Sequence, residues 1–206
     1  MHLLPPLEPM LRWLDYAGIS VFAASGALAA ARARLDIVGA CFFATVTAIG
    51  GGTMRDLLID APVFWMRDPA PLLICLAVAV AVWLLPRRWW PEAALDWCDA
   101  AGLAAYATYG AGKALHYGVP PLPAGVMGVV TACMGGVIRD TLARKPSILL
   151  RHELYVTCAM LAAGLFVGLT LLGLPAPWPA LIGAAGGFGL RAAAIRWRLA
   201  LPGYRY

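Results

Sequence analysis

The sequence predicts an all-α integral membrane protein of seven transmembrane helices, six forming an inverted three-plus-three repeat and a seventh added after them. Three observations carry this prediction. Of 206 residues, 62% are hydrophobic and only 13% charged, with a mean hydropathy of +0.76, whereas soluble domains average about 25% charged residues. Apolar runs of near 20 residues follow one another almost without interruption, each long enough to cross roughly 30 Å of hydrocarbon. The segment "TAIGGGTMRDLL" at 47–58 also returns as "TACMGGVIRDTL" at 131–142.

The spans fall at about 15–33, 37–59, 71–85, 96–117, 122–142, 153–173 and 179–195. They make one membrane domain, 1–206, with repeat one over 15–85 and repeat two over 96–173. The leading "MHLLPPLEPMLRWLD" has no basic stretch ahead of its apolar residues and contains prolines, so it is not read as a cleaved signal peptide. Spans two and five each end on Arg-Asp after a glycine cluster, while spans three and six are plain apolar runs. The joints "PVFWMRDPAP", "PRRWWPEAALDW" and "GLPAPWP" combine turn-forming prolines with tryptophans suited to the membrane interface.

Basic residues gather after alternate spans: Arg32 and Arg34, Arg87 and Arg88, Arg144, Lys145 and Arg151, then Arg196, Arg198 and Arg205. The positive-inside rule therefore puts the N-terminus outside and the C-terminus in the cytoplasm, with Arg67 (beside Asp68) as the exception. Scattered in this way, the net charge of +5 reads as topology and not as a nucleic-acid surface. The five cysteines lie in or beside apolar runs, without CxxC or metal-ligand spacing. No cofactor is expected, and with no nucleophile–base constellation, neither is an enzyme.

Arg55 and Arg139 stand 84 residues apart, and the same offset pairs Asp15 with Asp99, Gly18 with Gly102, Phe22 with Tyr106, Gly26 with Gly110 and Thr47 with Thr131. Three spans, an odd number, separate equivalent positions, so the second copy enters the membrane in the opposite direction. Inverted repeats place their functional path near the midplane, commonly on discontinuous helices. Gly50, Gly51 and Gly52, and Gly135 and Gly136, are the expected breaks in spans two and five, since glycine costs about 1 kcal/mol relative to alanine inside a helix. Unwinding there frees the carbonyls of Thr47, Ala48 and Ile49, and of Thr131, Ala132 and Cys133, as ligands for a monovalent cation, with the Thr47 and Thr131 hydroxyls beside them. The competing explanation is that the glycines only allow close helix packing.

Ionisable residues inside a membrane are functional candidates whose partners must be named. Arg55 and Asp56 are adjacent and point about 100° apart on a helix, so mutual neutralisation is expected to be poor. The better partners are Asp15 for Arg55 and Asp99 for Arg139, two pairs related by the offset; in the alternative, Asp15 and Asp99 serve as helix N-caps and both arginines snorkel to the interface. Asp140 repeats Asp56. Lys113 breaks the symmetry, because its equivalent is Ala29. It approaches the depth of Asp56 and is a candidate to pair with it, the alternative being that it snorkels to the interface. Ser25 and Tyr109, equivalent polar residues within spans one and four, are candidates for the path near its middle.

The doubled "GGGTMRD" and "GGVIRD" motifs, on spans two and five of a seven-span inverted repeat, resemble the prokaryotic trimeric intracellular cation (TRIC) channel family over essentially the whole chain. The resemblance implies a homotrimer in a prokaryotic inner membrane, in contact with membrane lipid. It implies one pore within each subunit, selective for monovalent cations with potassium as the physiological ion, and lined by the kinked spans two and five. It also makes Lys113 the candidate for voltage gating. The alternative is a secondary transporter of a small amino acid such as glycine, which an inverted repeat suits equally.

Overall fold

The computed structural model describes residues 7–86, 89–91, 93–145 and 154–201. Its helices are α1 (Leu7–Arg32), α2 (Ile37–Leu58), α3 (Phe64–Arg67), α4 (Ala70–Leu84), α5 (Ala94–His116), α6 (Pro121–Leu142), α7 (Val156–Leu171) and α8 (Trp178–Trp197). All but the four-residue α3 correspond to the seven expected spans. Helices α2, α6 and α8 are each long and apolar enough to cross a membrane, and α4 and α7 are shorter apolar helices. Arg87, Arg88, Arg151 and Arg205, and Glu153 at the expected start of the sixth span, lie outside the described residues.

Local chemistry sets the helix ends. The Asp36 carboxylate accepts from Gly39 N at 2.8 Å to start α2, and Asp68 accepts from Ala70 N at 2.9 Å to start α4. Prolines occupy the first turns of α4, α6 and α8, where their missing N–H leaves no bond unmade. Helices α1 and α5 close alike: Leu35 N donates to Ala30 O at 3.1 Å and Val119 N to Ala114 O at 3.0 Å. Helices α2 and α6 do the same, through Ala61 N to Asp56 O at 2.8 Å and Lys145 N to Asp140 O at 3.0 Å. The left-handed residues that make these closures are Arg34, Asp60, Gly118 and Arg144. Every one of these correspondences keeps the 84-residue offset, so the repeat extends to the backbone.

The packing shows the inversion. Gly51 lies against the Thr131 carbonyl oxygen and Gly135 against that of Thr47, each close enough that a β-carbon would overlap the oxygen. Numbering rises along α2 as it falls along α6, so the two helices cross antiparallel. Phe22 of α1 and Tyr106 of α5, equivalent under the offset, stack on each other with ring centroids 5.3 Å apart. A β-carbon at Gly18 would lie 3.2 Å from the Tyr106 ring, and one at Gly102 2.9 Å from the Phe22 ring. A pseudo-two-fold axis therefore passes through both crossings.

One expectation is corrected here. Helices α2 and α6 run uninterrupted through Gly50–Gly52 and Gly135–Gly136, so no unwound turn offers the carbonyls of Thr47, Ala48, Thr131 or Ala132 as ligands. The glycines act by lacking a side chain: only a residue without Cβ lets a neighbouring backbone oxygen come this close. A second correction concerns Asp15 and Asp99, which lie well inside α1 and α5 and are not N-caps.

Candidate functional site

Two clusters of buried charge stand beyond the α2/α6 crossing, at opposite ends. The first is built on the end of α2. Asp56, fully buried, accepts from Arg55 Nε at 2.8 Å and lies 2.7 Å from Arg55 Nη2. The Lys113 ammonium from α5 reaches both carboxylate oxygens, at 2.8 and 2.9 Å, so of its two readings the pairing forms. The backbone N–H of Phe64, which opens α3, donates to the same carboxylate at 3.1 Å. The Phe64 ring covers the cluster, with the Lys113 nitrogen 5.8 Å and the Arg55 guanidinium 6.0 Å from its centroid. Trp65 Nε1 ties α3 down by donating to Thr53 Oγ1 at 2.9 Å.

The second cluster is built on the end of α6. Arg139 pairs with Asp99 of α5 at 2.6 Å and with Asp140 at 2.8 Å, and also donates to the Ser25 hydroxyl of α1. Arg139 and Asp99 are each 1% exposed. Tyr155, entirely buried, presents its hydroxyl to Gly136. Gly52 and Gly136, equivalent under the offset, thus each seat an aromatic residue, Phe64 and Tyr155, drawn from positions that the offset does not relate.

Of the two pairs expected from the offset, Asp99–Arg139 forms and Asp15–Arg55 does not. Among the described residues, Arg55 has its ion pair with Asp56. The reason lies at another equivalent position: Arg139 reaches past the small Ser25, whereas Arg55 meets the ring of Tyr109, 5.1 Å from its guanidinium carbon. Asp15, buried, faces Tyr106, Tyr109 and Arg55 without closing an ion pair. The adjacent pairs Arg55–Asp56 and Arg139–Asp140 are also stronger than the 100° argument allows. That argument concerns Cβ directions, and the long arginine stem curls back to its neighbour.

The residues expected to line the middle are tightly placed. Thr47 and Thr131 are buried at the crossing, Thr131 Oγ1 donating to Met127 O at 2.6 Å, with Ala48 and Ala132 packed beside them. Ser25 and Tyr109 belong to the charge clusters and not to the midpoint. Sequence reasoning missed Phe64, Tyr155 and Arg191. For Arg191 a signal existed: it is one of two arginines in the otherwise apolar α8, five residues before Arg196.

The comparisons with known proteins agree with this architecture. A family model described as "Glycine transporter" matches residues 12–87 and 96–170, which are the two repeats. The UPF0126 inner membrane protein YadS of Escherichia coli K12 is 40% identical over 200 residues, covering 94% of this chain and 95% of that protein. A UPF0126 membrane protein of Vibrio cholerae is 40% identical over 199 residues, covering 94% and 82%. Among solved structures, the TRIC trimeric intracellular cation channel orthologue from Rhodobacter sphaeroides superposes with a TM-score of 0.87 at 40% identity, over 93% of this chain and all of that one. A prokaryotic TRIC channel crystallised in 0.5 M KCl gives 0.84 at 28% identity, over 93% and 98%. With both repeats matched and full-length relatives at this identity, the chain belongs to the bacterial membrane-protein family that the "Glycine transporter" model describes, the prokaryotic branch of the TRIC fold.

Proposed function

We propose that this chain is a monovalent-cation channel that prefers potassium, assembled as a homotrimer with a pore through each subunit. It sits in the bacterial inner membrane, N-terminus outside and C-terminus cytoplasmic, in contact with lipid. The observation that carries this reading is the pair of buried ion clusters at either end of the α2/α6 crossing. Charges at membrane depth are costly, and their usual use is an ion or substrate pathway. The solved neighbours, named as cation channels, support the same assignment.

In this reading a cation passes between the Asp56 and Asp99 clusters, and the crossing at Gly51 and Gly135 must part to admit it. The proposed conducting state opens α2 and α6 at these glycines, where helix bending is least costly, and exposes the carbonyls of Thr47 and Thr131 to the ion. Lys113 holds the first end closed by occupying both oxygens of Asp56. A charge moved across the full membrane changes energy by about 2.3 kcal/mol per 100 mV, so displacement of Lys113 would make opening depend on voltage.

Single-channel recording of the purified protein in a planar bilayer tests this. Discrete steps that reverse near the potassium equilibrium potential are expected under a potassium chloride gradient. Lys113→Ala should raise open probability and flatten its voltage dependence; unchanged gating would remove Lys113 from the mechanism. The second reading, a carrier for glycine, draws on the family description and on the presence of both charge signs at each end, which suits a zwitterion. Labelled-glycine uptake into proteoliposomes, with no current steps, would select it.

A further inference from the structure

Between α2 and α4 the chain forms a strap, 59–69, that lies across the first cluster and carries α3. No residue of α3 is buried, and Met66 and Arg67 are exposed. A helix of four residues has too few backbone bonds and too little apolar contact to hold itself in place, so the strap depends on side-chain hydrogen bonds. The Phe64 N–H donates to Asp56 Oδ2 at 3.1 Å, Trp65 Nε1 to Thr53 Oγ1 at 2.9 Å, and the Tyr16 hydroxyl of α1 to Asp68 Oδ2 at 3.1 Å.

The carboxylate of Asp56 joins the strap to Lys113. Its Oδ2 accepts from the Lys113 ammonium at 2.9 Å as well as from the Phe64 N–H. The Phe64 ring stands over Lys113 and Arg55 together, and it is seated on Gly52, where a β-carbon would lie 2.8 Å from the ring edge. One turn of α2, from Gly52 to Asp56, thus supplies the seat for the ring, the acceptor for Trp65 and the carboxylate for Lys113. At the opposite end the equivalent Gly136 faces Tyr155, which is 1% exposed. That cover belongs to the core, whereas Phe64 is carried on a short surface helix.

We propose that α3 is a lid that holds Lys113 on Asp56, with Phe64 as its plug and the Trp65–Thr53 hydrogen bond as its latch, so that Lys113 leaves the carboxylate only when the lid lifts. What the lid gates rests on the channel reading; whether it holds Lys113 is measured without current. Lys113 and Lys145 are the two lysines of the chain, and Lys145 is exposed. Acetylating the purified protein with a water-soluble amine-reactive ester, then quantifying both lysines by mass spectrometry, gives the access of Lys113 against an internal reference. Lys113 should react far more slowly than Lys145 in the wild type. Thr53→Val, which keeps the side-chain shape and removes the latch acceptor, should speed Lys113 about fivefold, the ratio that one net hydrogen bond supports. Gly52→Ala, whose methyl unseats the ring, should also speed it, and Phe64→Ala should do so most. Gly50→Ala, on the same helix but against Ile138, should change nothing.

Unchanged access of Lys113 in Thr53→Val and Phe64→Ala would overturn the proposal and leave α3 as a plain connection. So would an equal rise at Lys145, which marks a general loosening of the fold. Thr53→Val decides the matter alone if either of the other lid variants does not fold. In planar bilayers Thr53→Val should raise open probability about fivefold at unchanged unitary conductance, and it should add nothing in a Lys113→Ala background, because the lid acts through that lysine. Additive effects would refute that route. A silent wild type would sink the channel reading and leave the acetylation test intact.

Discussion

Replacing Asp99 by alanine is expected to destabilise the protein far more than the same change at Asp15, although the repeat makes the two residues equivalent. Asp99 neutralises Arg139 at 2.6 Å, and both are 1% exposed. Its loss leaves a buried guanidinium with, among the described residues, only the adjacent Asp140 as a carboxylate partner. Breaking such a pair from one side costs about 3–5 kcal/mol, a fall in thermal midpoint of about 6–20 °C for a chain of this size. Asp15 holds no ion pair within 4 Å among the described residues, and Arg55 keeps Asp56 without it. Its removal should cost about 1 kcal/mol, or about 2–4 °C. Equal losses in thermal melts of the two variants in one detergent would contradict the asymmetry described for the clusters.

Gly51→Ala and Gly135→Ala form the second large expectation. In each, the added methyl would overlap a backbone carbonyl oxygen of the crossing helix, Thr131 or Thr47, and backbone has no rotamer by which to yield. Overpacking of this kind costs about 1–3 kcal/mol and at times more; the upper end is expected here, with much reduced yield of folded protein. Three other glycines set the scale. Gly50→Ala would meet only the flexible tip of Ile138, and Gly125→Ala and Gly164→Ala would meet open space. The first should cost under about 1 kcal/mol, and the other two should be neutral or slightly stabilising, since alanine is the better helix former. Were the glycines present for unwinding alone, Gly50 and Gly51 would respond alike; a melt series of the five variants separates the two explanations.

Both expectations rest on features that a linear reading reached unevenly. The Lys113–Asp56 and Asp99–Arg139 pairs were legible because span direction and depth leave each group few partners. Asp15–Arg55 was legible on the same grounds and does not form. Which side chain intervenes, serine at 25 or tyrosine at 109, matters as much as the offset, and reach past a neighbour is a property of three-dimensional volume. Phe64, at the start of the four-residue α3, and Tyr155, just before α7, belong to no periodic segment that announces them. Their seats at Gly52 and Gly136 exist only once the loops fold back over the helix ends.

The sequence by itself determined the membrane environment, the seven spans, the repeat and its inversion, because hydropathy, span length and a constant offset of 84 residues are properties of order along the chain. Only the tertiary structure decided what the glycine clusters do. A glycine weakens a helix and also admits a neighbour, and composition cannot separate these two consequences of a missing Cβ. Antiparallel contact between α2 and α6 selects the second: each helix continues through its glycines because the other's backbone fills the space beside them. The same holds for Arg191, which is set against the Tyr155 ring and buried only once α7 and α8 pack together.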